Sequence, residues 1–348
     1  MIDELVRPHF RSFKPYVSAR TEVLNAKIFL DANELPVANP VDTENIHLNR
    51  YPDPSQAEVR KVLSERLSLG PEMIFAGVGS DEIIDLLVRL FCEPGRDSVA
   101  ILEPTYGVYK VAADVNAVRS IPIELTRQFQ IDLPTTRSAL EPGTKLMFLC
   151  SPNNPTGNIL DRNDIVSLCE ETRGIVVVDQ AYVEFAPPSD DLARQVARLE
   201  NLVVLRTFSK AWGLAGIRFG YCVANAQIVS YLMKIKSPYN ISAATSHLVL
   251  KALGDGIFVN NAIEEIVRER ERVAGELRAS NLVASVYPSN ANFLLAEFQN
   301  AVRVYEILRE AGIVVRRRTE SRLRNCLRLT IGTRAENDRL LSAIRTIA

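Results

Sequence analysis

The chain has 348 residues, 47% hydrophobic and 24% charged, with 41 basic against 42 acidic side chains for a net charge of −1. That length exceeds what one hydrophobic core usually serves, so about two domains are expected. The even charge balance argues against nucleic acid or a membrane surface as partner, because either selects a clustered basic surplus.

The start of the chain, up to about residue 35, shows no sheet rhythm and is expected to form an N-terminal arm (1–35) packed on the smaller of two domains. It carries Asp3, Glu4, Arg7 and His9 rather than the apolar centre of a signal peptide. With no run of some 18 apolar residues elsewhere, a cytoplasmic address is the expectation. From Met73 to Val78 an apolar run precedes Ser80 and Asp81 at a helix start, and Ile83, Ile84, Leu87, Val88 and Phe91 then recur at helical spacing. Further short apolar runs, Ser98 to Leu102, Lys145 to Leu149, Ile175 to Val178 and Leu202 to Leu205, alternate with helical stretches such as Asp161 to Thr172. Continuous apolar strands of this kind are buried on both faces, so an α/β domain with a mostly parallel central sheet flanked by helices is expected over residues 36–245. In such sheets ligands gather beyond the carboxyl ends of the strands. The pattern then changes: a long helix, Gly256 to Ser280, precedes strand-like stretches Asn292 to Phe298 and Gly312 to Arg316, which reads as a smaller α+β domain over 246–348.

Residues capable of chemistry stand at the expected strand ends. Gly77-Val78-Gly79-Ser80-Asp81-Glu82 opens a helix whose N–H groups could cap it or bind a phosphate; it is not the GxGxxG of dinucleotide sites. Two prolines and a glycine shape Cys150-Ser151-Pro152-Asn153-Asn154-Pro155-Thr156-Gly157 into a turn with room for a cis peptide, which would aim the Asn154 amide. Asp179 closes the run of three valines, where a carboxylate can cap a turn or hold a pyridine nitrogen protonated, and Tyr182 follows three residues on. Thr207-Phe208-Ser209-Lys210 leads through a glycine-rich stretch to Arg218; a lysine so placed could form a Schiff base, and the arginine fork suits phosphate. The five cysteines, Cys92, Cys150, Cys169, Cys222 and Cys326, lie far apart without a CxxC pair and with only three histidines, so neither a disulfide framework nor a metal site is expected.

Taken jointly, SPNNPTG, VVVDQAY and TFSKAWGLAGIRFGY resemble the class I and II aminotransferases, and within them the histidinol-phosphate aminotransferases. FKPYVSAR, LDANE, RYPDP, GVGSDE, EPTYGVY and CLRLTIGTR extend the resemblance over nearly the whole chain. The resemblance implies the pyridoxal-phosphate transferase fold of type I and a cofactor, pyridoxal 5'-phosphate, held by Lys210 as a Schiff base. It implies that Asp179 pairs with the ring nitrogen, that Asn154 and Tyr182 bond the ring hydroxyl, and that Tyr106 stacks on the ring. Ser80, Asp81, Thr207, Ser209 and Arg218 would hold the cofactor phosphate, joined by Tyr51 from the second subunit of a homodimer. For the substrate it implies Arg316 and Arg328 with Tyr16, while Asn33 would line the imidazole end or form a local turn. The implied reaction exchanges an amino group between histidinol phosphate and 2-oxoglutarate or glutamate by ping-pong kinetics. Arg317 and Arg318 are expected to be solvated. Gln180 stands where the family usually has Glu and is expected to point away from the chemistry.

Rival readings are an aromatic amino-acid aminotransferase and a phosphothreonine decarboxylase on the same fold. A cofactor-binding regulator would need a DNA-binding domain beside this pattern, and a dinucleotide-dependent oxidoreductase would need the absent glycine fingerprint.

Overall fold

The structure, a computed structural model, describes residues 2–12, 46 and 48–346. Its larger sheet has seven strands in the order β1-β7-β6-β5-β4-β2-β3. These are β1 (Ile74–Val78), β2 (Ser98–Glu103), β3 (Arg119–Glu124), β4 (Thr144–Cys150), β5 (Ile175–Asp179), β6 (Leu202–Thr207) and β7 (Phe219–Ala224). Only β7 runs against its neighbours, so the other strands present their carboxyl ends along one edge.

Alternate residues of the central strands feed separate cores. Val176, Val178, Leu202 and Val204 join one apolar cluster, while Ile175, Val177, Val203 and Leu205 join the cluster on the opposite face. Both faces are covered by helices, which is why these strands read as unbroken apolar runs and not as alternation. Chain order departs from spatial order where β4 pairs with β2 and β1 with β7, and such switches leave a crevice beyond the strand ends.

A second sheet has the order β10-β11-β9-β8, with β8 (Val283–Val286), β9 (Phe293–Phe298), β10 (Arg316–Arg317) and β11 (Cys326–Thr330). The helices Gly256–Arg278, Ala301–Glu310 and Arg334–Arg345 pack on it through Val273, Leu277, Val304, Leu308, Leu340 and Ile344. Between the sheets, Tyr182 and Phe185 meet Ala291 and Phe293, with the Tyr182 and Phe293 rings edge to face at 5.1 Å. The end of β5 is thereby tied to the second sheet.

Three expectations need correction. The described part of the arm, residues 2–12, packs on the helix layer of the larger sheet: Ile2, Leu5 and Val6 join its core, the Arg7 N–H donates to the Leu90 carbonyl, and the Arg7 guanidinium pairs with Glu93 at 3.1 Å. Apolar residues in a polar segment decide this docking, and residues 13–35 of the expected arm lie outside the described residues. The run from Gly312 to Arg316 is not a strand but for its last residue; Val314 is 91% exposed, and only Arg316 and Arg317 find a partner strand. The helix expected to begin at Ser80 starts with Gly79 at φ 71°, so Ser80 and Asp81 lie inside its first turn and neither side chain caps it.

Candidate active site

Five strand ends converge on a cavity of about 200 Å³ lined by Ser80, Asp81, Tyr106, Asn154, Asp179, Tyr182, Thr207, Ser209, Lys210, Arg218 and Arg328, with Cys150 and Ala181. The ends of β4, β5 and β6 supply Cys150, Asp179 and Thr207: register sets Cys150 beside Asp179 and Asp179 beside Leu205, with Thr207 two residues further along β6.

Among the lining residues Asp179 is buried and accepts two hydrogen bonds, from the Tyr109 hydroxyl to Oδ2 at 2.8 Å and from the Ala181 N–H to Oδ1 at 3.0 Å. Burial pushes its carboxyl up to about 6, while both donors oppose that shift by stabilising the anion. Tyr109 is a contact that the sequence reading does not anticipate. The only signal was a second tyrosine one helical turn beyond Tyr106 in EPTYGVY.

Lys210 follows β6 in the turn that returns as β7, its Nζ 5.5 Å from the Tyr182 ring centre. The side chain is reachable from solvent through the cavity mouth, yet the protein around it, followed by the Arg328 charge, holds its amine below the usual lysine range. An amine less often protonated is a better nucleophile.

The same cavity carries a cluster of donors. The Thr207 hydroxyl donates to Ser209 Oγ at 3.0 Å, Arg218 reaches Ser209 Oγ at 3.4 Å and Asp81 at 3.3 Å, and the Tyr106 hydroxyl donates to Asp81 at 3.2 Å. Arg218 has a left-handed backbone, φ 52°, uncommon for a residue with a side chain, and its guanidinium lies over Gly79 where a Cβ would meet it at 2.7 Å. A Cβ at Gly220 would come within 2.5 Å of the Ser80 nitrogen, so β7 and the helix start approach this closely only because both glycines lack one. Hydroxyls, a guanidinium and the N-terminus of the helix Gly79–Phe91 form a donor set that fits a phosphate. Asp81 does not fit as a side-chain ligand, because its carboxylate already accepts from Arg218 and Tyr106.

Arg328 and Arg316 stand opposite each other across the β11–β10 pair and line one groove beside the cavity, with Tyr106 and Asn154. Residues directly opposed on neighbouring strands share a face, so the second sheet brings two guanidinium groups together. Arg328 donates to Asn154 Oδ1 at 2.5 Å. Arg317 lies 5.8 Å from the Tyr305 ring centre, whereas Arg318 is not solvated: its side chain is 12% exposed and paired with Glu320. Gln180 points away from the cavity, as expected, donating to the Asp190 carbonyl at 2.7 Å and accepting the Leu192 N–H. Cis peptides occur at Ser151-Pro152 and Asn154-Pro155 in the turn that presents Asn154, and at Glu103-Pro104.

Two groups of expected site residues are not placed there. Tyr51 does not line this chain's cavity; it is 50% exposed and stacked on Tyr239 at 4.5 Å. Tyr16 and Asn33 lie outside the described residues.

The sequence pattern of the family described as aminotransferase class I and II matches residues 28–344. A histidinol-phosphate aminotransferase of Parabacteroides distasonis is 44% identical, covering 99% of each chain. Among solved structures, the histidinol-phosphate aminotransferase of Clostridium acetobutylicum superposes with a TM-score of 0.80 at 24% identity, over 86% of this chain and 91% of that one. That of Sinorhizobium meliloti, solved in complex with pyridoxal-5'-phosphate, gives 0.78 at 23% identity over 86% and 84%. Among the described residues, no helix is long and apolar enough to cross a membrane.

Proposed function

The chain belongs to the class I and II aminotransferases, and from that premise we propose that it is a histidinol-phosphate:2-oxoglutarate aminotransferase using pyridoxal 5'-phosphate. The observation that carries the reading is the convergence of one lysine, one buried carboxylate and a phosphate-type donor cluster on a single cavity.

Bound there, the cofactor supplies an electron sink for the substrate carbon that loses its proton. Asp179 would supply the anion for the ring nitrogen. Tyr106 would offer its face to the ring, and Asn154 and Tyr182 would bond the ring hydroxyl. Ser80, Thr207, Ser209 and Arg218 would hold the phosphate, with Asp81 fixing Arg218 and Tyr106. With the cofactor bound, the Lys210 amine would make its covalent attachment and, when free, would move the proton between the substrate and cofactor carbons. Both half-reactions would use the same lysine as proton carrier, the amino group staying with the cofactor between them.

Arg316 and Arg328 offer two forks to a phosphate ester with up to two negative charges, and the same groove can receive the carboxylate of glutamate. Tyr51, exposed and outside its own chain's cavity, serves the phosphate of the partner site in a homodimer. From the resemblance, Tyr16 would join the substrate-binding residues and Asn33 would either line the imidazole end or form a local turn, and the expected address is cytoplasmic.

With histidinol phosphate and 2-oxoglutarate, the purified protein should form glutamate stoichiometrically. The Lys210→Ala variant should lose turnover and retain no borohydride-trapped adduct. Release of carbon dioxide would identify the decarboxylase reading, and equal turnover of phenylalanine the aromatic one.

A further inference from the structure

We propose that Tyr109 is a positioning residue of the reaction: its hydroxyl holds the Asp179 carboxylate ionised and in a fixed orientation at the nitrogen end of the cofactor cavity. This rests on the pyridoxal-phosphate reading above. Tyr109 lies in the helix Val108–Val115 and is fully buried, its ring stacked on Phe148 at 4.8 Å and nearly parallel, with the edge of Tyr106 at 5.6 Å. Held on two sides, the ring cannot follow a rotating carboxylate; the carboxylate must keep to the ring.

A buried tyrosine needs some acceptor, and a backbone carbonyl would satisfy it equally well for folding. This hydroxyl is instead committed to Asp179 Oδ2 at 2.8 Å, with the Ala181 N–H on Oδ1. Each carboxylate oxygen thus has one fixed donor, which leaves the remaining lone pairs for a cationic nitrogen in the cavity. The need is electrostatic. Burial favours the neutral acid, and a neutral acid could not hold a pyridine nitrogen protonated. The titratable groups around Asp179 are Tyr109 and Tyr106, Cys150 of β4, Tyr182, Asp81 of the helix Gly79–Phe91 and Lys210, and of these Asp81 also works against the anion. One short segment serves both acids of the cavity, Tyr106 on Asp81 and Tyr109 on Asp179.

The test is titration of cofactor-free protein with pyridoxal phosphate. Tyr109→Phe should bind roughly tenfold more weakly, the scale of one hydrogen bond to a charged group, and should shift the pH midpoint of the bound cofactor's absorption. In an Asp179→Asn background the same substitution should change affinity less than about twofold, because the anion it serves is gone. An unchanged affinity and midpoint in Tyr109→Phe, or an equal loss in the Asp179→Asn background, would each overturn the inference. A parent protein that takes up no pyridoxal phosphate would overturn the cofactor reading itself.

Discussion

Arg328 and Arg316 meet in one groove, yet their surroundings differ. Arg328 is half-buried, donates to Asn154 and lies 5.3 Å from the Phe293 ring centre, and its guanidinium is pushed below the usual arginine range by burial and the neighbouring arginines. Arg316 is exposed at the edge strand. A substrate carrying a dianionic phosphate would recruit both, whereas a carboxylate would be satisfied by the inner one. Arg316→Ala should therefore raise KM for histidinol phosphate by roughly tenfold or more, about 1.5–3 kcal/mol, and change KM for phenylalanine little. Equal increases for both would favour the aromatic reading. Arg328→Ala should weaken every substrate. At this scale much of the site was legible in the sequence, because Asp179, Lys210 and Asn154 stand in motifs whose residue types carry the chemistry. Tyr109 was not, since a tyrosine inside an apolar helix looks like core until its hydroxyl is found on a carboxylate. Arg318 resembled a solvated charge for a similar reason: its pairing with Glu320 depends on the local path of the chain after β10.

The strands β1, β2, β4, β5 and β6 were visible as apolar runs because both their faces are covered. Two strands of the larger sheet were missed, as were β8 and β11 of the second. β3 is an edge strand, carries Pro122 and buries only Ile123 fully, so its composition resembles a loop. β7 lies inside a glycine-rich stretch that drew attention as a site motif. The opposite error fell on Gly312 to Arg316, where an apolar run exists but no strand stands beside most of it. In the second sheet's helix layer, Glu269 of the helix Gly256–Arg278 is nearly buried and bonded to Arg272 at 2.7 Å and to Asn337 of the helix Arg334–Arg345 at 2.9 Å. The Arg272 guanidinium first, and Asn337 after it, depress its carboxyl to about 2. A depressed carboxyl stabilises the fold above its unfolded value of about 4.3 and loses that contribution as pH falls through the folded value. Glu269→Gln should cost about 2 kcal/mol at pH 7. Denaturant titrations should then show the variant and the parent converging in stability between about pH 4.3 and 2. A gap that stays constant across that window would assign the loss to packing.

At the level of the whole molecule, the proposed homodimer has a direct test. If Tyr51 serves the partner's site, Tyr51→Ala should weaken pyridoxal phosphate binding by roughly tenfold. A hybrid of one Tyr51→Ala subunit with one Lys210→Ala subunit would hold one intact site and should regain about half the parent's activity per dimer. No recovery in purified hybrids would sink the shared site. Composition, the alternation of apolar runs with helical spacing and the motif residues determined, from sequence alone, an α/β fold and the strand-end residues that line the cavity, Lys210 and Asp179 among them, because those properties reside in local pattern and side-chain type. Tertiary structure alone decided that Arg316 faces Arg328, that Tyr109 binds Asp179 and that the N-terminal residues dock on the larger sheet. Each of these joins residues distant in the chain, and their distance and orientation are set by strand register and by packing of the layers, which local sequence does not encode.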